Sequence, residues 1–118
     1  MLKAIRGAIA IAKDDPQEIT QGTQQLLRKI SEENMLRLED IISVFFTATP
    51  DLHMAYPAKA ARDMGWTAIP MMCLQEMAVE GSLNYCIRVL IHVEWDKEQD
   101  IKHVYLGKAR QLRPDWTD

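Results

Sequence analysis

Arginine grips a carboxylate better than any other side chain, because its planar fork donates two parallel hydrogen bonds to the two oxygens. Two arginines stand where a binding surface would use them. Arg6 falls inside an alternating segment near the start of the chain, and Arg88 in the middle of another. Each is in the phase opposite the most apolar residues. Tyr105, between Val104 and Leu106, is likewise opposite in phase, and Lys59 and Arg62 are spaced to share one face of a helix. Two readings fit this inventory. The cations are either solvated or paired with neighbours such as Glu94, or they line a pocket for a small, multiply charged anion. Pattern alone leaves both open and supports an anion-binding α/β domain.

Other chemistries lack their signatures. The five glycines are scattered and form no phosphate loop, and no serine sits in a nucleophile elbow. His53, His92 and His103 have no metal-ligand spacing, so no metal site is expected. Cys73 has no adjacent base and reads as a packed thiol.

The elements that must position these residues follow from periodicity. Residues 2–12 alternate, with Ile5, Ile9 and Ile11 in one phase and Ala4, Arg6 and Ala8 in the other, which predicts a strand. Asp15-Pro16-Gln17-Glu18 is a helix start: an Asx cap, a proline at the first helical position and a carboxylate three residues after the cap. The stripe Ile19, Thr23, Leu26, Leu27 and Ile30 extends that helix over residues 16–33. The apolar run 41–48 predicts a buried strand, and 57–64 a short helix stopped by Gly65. A short extended piece at 71–74 follows Pro70. Residues 84–95 then alternate cleanly, with Tyr85, Ile87, Val89, Ile91, Val93 and Trp95 on one face. A last short strand at 103–106 precedes a polar tail. The order β-α-β-α-β-β-β predicts an α/β fold of the α+β type, a mixed β-sheet with helices packed on one side.

Residues 1–118 form a single domain, too small to carve a deep dry pocket from its own core, so an enzyme of this length is expected to build its site at a subunit interface. A net charge of −3 gives no electrostatic footprint for nucleic acid or an anionic membrane. Cys73 and Cys86 form no CxxC pair, no export signal precedes them, and no run reaches the length of a membrane span. The expectation is a cytoplasmic protein with free thiols.

Seven blocks resemble one family in order and spacing. They are Ile5-Arg6-Gly7-Ala8, Ala48-Thr49-Pro50-Asp51-Leu52-His53, Tyr56-Pro57-Ala58-Lys59-Ala60, Cys73-Leu74-Gln75-Glu76-Met77, Cys86-Ile87-Arg88-Val89, His103-Val104-Tyr105-Leu106 and Leu112-Arg113-Pro114-Asp115. Together they resemble the monofunctional, trimeric, pseudo-α/β-barrel class of chorismate mutases. The resemblance implies a homotrimer with one site at each of three subunit interfaces. The reaction implied is the rearrangement of chorismate to prephenate, with no cofactor and no metal.

By that resemblance Arg88 faces the ether oxygen whose bond breaks, and Arg6 binds the side-chain carboxylate with help from the Tyr105 hydroxyl. Glu76 and Cys73 would hydrogen-bond the ring hydroxyl. Tyr56, Ala58, Lys59, Arg62 and Met72 would form the wall supplied by the neighbouring subunit, while Leu112 and Arg113 belong to a tail that closes over the site. Three departures carry expectations of their own. Tyr56 stands where the family often has phenylalanine, and Met72 where a small hydroxyl residue is expected. The chain ends at Asp118 where many relatives continue, which implies a shortened cover and a wetter pocket. Two rival readings are a trimeric enamine/imine deaminase, which also uses an interfacial arginine, and a non-catalytic trimeric metabolite-binding protein.

Overall fold

The computed structural model describes residues 1–116. Asp15 begins the first helix as its side chain predicts: the carboxylate accepts from the backbone N–H groups of Gln17 (3.0 Å) and Glu18 (3.1 Å). The Glu18 carboxylate does not close back on the cap. It accepts from the backbone N–H of Ala12 at 3.3 Å and ties the incoming loop to the helix. The helix, α1, runs Pro16–Asn34 and buries Ile19, Gly22, Thr23, Leu26, Leu27, Ile30 and Asn34.

Strands β1 (Leu2–Ala10), β2 (Ile41–Ala48), β3 (Met71–Gln75), β4 (Cys86–Glu94) and β5 (Val104–Leu106), with helix α2 (Pro57–Asp63), complete the regular structure. They form one mixed sheet in the order β3-β2-β4-β1-β5. β4 runs antiparallel to both β1 and β2, while the edge strands β3 and β5 pair parallel with β2 and β1. The anticipated mixed sheet with helices on one side is the observed architecture.

The core lies between the helices and one sheet face, where Ile5, Ile9, Val44, Phe46, Ile87, Val89, Ile91 and Val93 meet Ile19, Leu26, Leu27 and Ile30. Gly7 makes that contact possible: a Cβ there would stand 2.7 Å from Ile30 Cδ1 and 3.0 Å from the Val104 carbonyl oxygen. Asn34, fully buried at the end of α1, donates to the carbonyl of Lys102 (2.9 Å) and accepts from its N–H (2.8 Å), fastening the approach to β5.

Several boundaries differ from the expectation. β4 begins at Cys86 because Tyr85 has φ 50°, a left-handed conformation that no strand continues through. β1 ends at Ala10, after which Ile11 donates to the Tyr85 carbonyl. β2 occupies the expected residues but is not buried throughout. Its pairing shifts between Ile41 and Ser43, and Ile42 at that irregularity is 47% exposed. The tail is not merely polar: residues Gly107–Leu112 and Pro114–Trp116 form 3₁₀ turns. Among the described residues no helix is long and apolar enough to cross a membrane.

Candidate active site

Side chains directly opposite across a ladder share a face of the sheet. The pairs Leu74–Thr47, Thr47–Arg88, Arg88–Ala8 and Ala8–Tyr105 therefore define one row across all five strands. The next row contains Met72, Phe45, Leu90 and Arg6. Both rows lie on the face turned away from the core, because their neighbours Val44, Phe46, Val89 and Gly7 face the helices. Arg6 and Arg88 thus stand on one surface. The alternation that placed them opposite the apolar phase is the reason.

Glu76 joins this surface from the end of β3. Its backbone N–H donates to the Ala48 carbonyl at 2.8 Å, extending the ladder by one bond, and its Oε2 accepts from the Thr47 hydroxyl. Its Oε1 lies 3.5 Å from Arg88 Nε, an ion pair whose side chains are 29% (Arg88) and 21% (Glu76) exposed. That approach lacks hydrogen-bond geometry. Arg88 Nε and the Tyr105 hydroxyl are both buried with no hydrogen-bond partner among the described residues. Burial pushes the Tyr105 phenol up, while the guanidinium groups of Arg6, Arg113 and Arg88 pull it back down. One phenol thus sits within electrostatic reach of three permanent cations.

The tail covers the far end. Leu112 packs against the small cluster of Ala8, Cys86, Tyr105 and Ala109. Arg113 forms a two-point pair with Asp115 (3.1 and 2.8 Å) and lies 3.4 Å over the Trp116 ring, which stacks on His103 at 4.0 Å. His103 Nδ1 in turn accepts the Arg6 backbone N–H at 2.9 Å.

A second group of the anticipated residues lies elsewhere. Tyr56, Lys59 and Cys73 line a cleft of about 700 Å³ beside α2. Cys73 pairs in register with the core residue Phe46, so it points to the helix face. Burial pushes its thiol up, and a hydrogen bond to the Ala58 backbone and the charge of Arg62 work against that shift. Tyr56 is 70% exposed, Ala58 is buried in the first turn of α2, and Lys59 pairs with Asp63 at 3.0 Å. Within one chain, then, Cys73 does not join Glu76 and Arg88 as the resemblance grouped it; strand alternation turns it the other way. Met72 stands in the Arg6 row, exposed on the edge strand β3.

A family model for chorismate mutase type I matches residues 2–116. The chain belongs to this family. It is 50% identical over 117 residues to the chorismate mutase AroH of Bacillus subtilis (strain 168), covering 98% of this chain and 92% of that one. To the chorismate mutase AroH of Thermus thermophilus it is 44% identical, covering 98% and 96%. A solved chorismate mutase from Clostridium thermocellum superposes with a TM-score of 0.90 at 51% identity, over 93% of this chain and 99% of that one. Between the mutase and deaminase readings, these matches select the mutase, an isomerase.

Sequence reasoning missed three residues that shape this candidate site. Thr47 touches Glu76, Ala8 separates Arg88 from Tyr105, and Trp116 carries Arg113. Only strand register identifies the first two. Among the described residues no group of three or more His, Cys, Asp and Glu side chains is placed to hold a metal. The histidines have separate partners: His53 contacts Asp14 at 3.1 Å, His92 contacts the Ser43 hydroxyl at 3.1 Å, and His103 contacts Arg6.

Proposed function

We propose that this chorismate mutase converts chorismate to prephenate by restraining the dianion and stabilising its ether oxygen, at sites completed between the subunits of a homotrimer. One observation carries the reading. Among the described residues Arg88 Nε and the Tyr105 hydroxyl are buried without hydrogen-bond partners, on a surface with the cations Arg6 and Arg113 and the carboxylates of Glu76 and Asp115. Buried polar atoms are nearly always paired, and these two await an acceptor.

The rearrangement breaks a carbon–oxygen bond and forms a carbon–carbon bond within one molecule, so no side chain needs to take or give a proton. What helps is a fixed, reactive conformation and positive charge where the oxygen becomes negative. In this reading Arg88 donates to the ether oxygen and Arg6 and Tyr105 hold the side-chain carboxylate. Glu76 accepts from the ring hydroxyl. The groups near α2 (Tyr56, Ala58, Lys59, Arg62 and Cys73), together with Met72, come from the neighbouring subunit, and Leu112 and Arg113 cover the entrance.

The exposed Met72 and Leu74 on the same sheet face as Arg6 and Arg88 support an assembly that covers this face. Prephenate leads on to phenylalanine and tyrosine, a biosynthetic role that suits the cytoplasm. Following loss of chorismate ultraviolet absorbance tests the activity, and native mass tests the assembly. Steady consumption of chorismate by a particle of three chains is expected; saturable binding with no turnover would leave a metabolite-binding protein instead.

A further inference from the structure

We propose that Thr47 is a positioning residue for the rearrangement: its hydroxyl holds the Glu76 carboxylate off Arg88. This rests on the reading of Arg88 and Glu76 as the groups that meet substrate. Thr47 and Arg88 are opposite one another across β2 and β4, so their side chains are neighbours on the open face. Glu76 is fixed twice by consecutive residues of β2, through its backbone to Ala48 and through Oε2 to the Thr47 hydroxyl. Its other oxygen stops 3.5 Å from Arg88 Nε, which has no hydrogen-bond partner among the described residues.

A carboxylate and a guanidinium at that separation would otherwise close into a two-point, charge-assisted pair. Closure would cost the site twice. The cation meant for the ether oxygen would be neutralised, and the acceptor meant for a ring hydroxyl would be occupied. The Thr47 hydroxyl keeps the two charges near each other yet incompletely paired. Strand propensity does not explain a hydroxyl here, since valine has the same shape and suits a strand equally well.

The test is a double-mutant cycle of Thr47→Val and Glu76→Gln, with Thr47→Ser as the conservative variant, reading kcat and KM for chorismate loss. Thr47→Val is expected to lower kcat roughly 10- to 100-fold, the loss typical of one hydrogen bond to a charged group, with a much smaller change in KM. Thr47→Ser recovers most of the rate. In the Glu76→Gln background Thr47→Val makes no further difference, because the group it positions is already altered. An unchanged kcat in Thr47→Val, an equal loss in both backgrounds, or a serine variant as poor as valine overturns the proposal. If Thr47→Val does not fold, judged by far-ultraviolet circular dichroism, Thr47→Ala takes its place in the cycle. Failure of the wild-type chain to consume chorismate would instead remove the functional reading on which this inference rests.

Discussion

Arg88 and Tyr105 are both paired in register with Ala8, one from each side of β1. Two strand spacings separate them, about 10 Å from backbone to backbone. The β1 side chain in register between them is a methyl group with no exposed surface. A larger residue would fill the space that the guanidinium and the phenol enclose. Ala8→Leu should therefore abolish most chorismate turnover and destabilise the chain by about 1–3 kcal/mol through overpacking. Urea denaturation beside a rate assay checks both. Ala8→Gly, which leaves the space open, should keep turnover at a cost of about 0.5–1 kcal/mol.

Replacing Arg88 by alanine should lower kcat on the order of 10²–10³-fold while the circular dichroism spectrum is unchanged. Lysine keeps the charge but has no fork, and should restore only part of the loss. An Arg88→Ala variant with the parent kcat would remove this side chain from the mechanism.

His103 predicts a pH dependence with a definite sign. Its Nδ1 must be bare to accept the Arg6 N–H. Burial, followed by the charges of Arg6 and Arg113, holds the imidazole below the usual histidine range. The neutral ring's contribution to stability is thus complete above the ordinary histidine value of about 6.5, and is lost as pH falls through the lower folded value. The urea midpoint of the parent should drop more steeply between pH 7.5 and pH 5 than that of His103→Gln, which accepts a hydrogen bond without titrating. Parallel curves would rule out the imidazole as the source.

Asn34 makes a prediction about the fold alone. It is fully buried and bonds the Ile30 carbonyl as well as both backbone groups of Lys102. Leucine at this position leaves those backbone groups unpaired, so Asn34→Leu should cost roughly 1–3 kcal/mol or more in urea denaturation. Loosening the approach to β5, it should also raise KM through Tyr105.

Truncating Trp116 to alanine removes the surface beneath Arg113 and the stack on His103. If the tail contributes by covering bound substrate, KM should rise while kcat changes little. The opposite split would place the tail in the chemical step.

The sequence exposed the elements whose faces differ in polarity. In β4 the alternation of Ile87, Val89, Ile91 and Val93 with Arg88, Leu90 and His92 reports a strand and also which side of it is free, so Arg88 was visible before any pairing was known. The stripe of α1 was equally plain, because one face meets the sheet and the other meets water. The apolar run of β2 carried no such contrast and concealed the irregularity at Ile42. The face taken by Cys73 depends on pairing with Phe46, a contact 27 positions away in the chain and beyond any local pattern. The tail shows no period at all, and its order comes from Trp116, Arg113 and His103 packing together.

That Cys73 and Arg88 look in opposite directions within one chain has a genetic corollary. In the proposed assembly the two groups meet in one pocket, which requires unlike surfaces of neighbouring chains to join head to tail. Co-refolding inactive Arg88→Ala chains with chains disabled at the Cys73 side should then rebuild intact pockets wherever the right neighbours fall in order, at roughly one junction in four in an equal mixture. Neither parent alone would show that recovered activity.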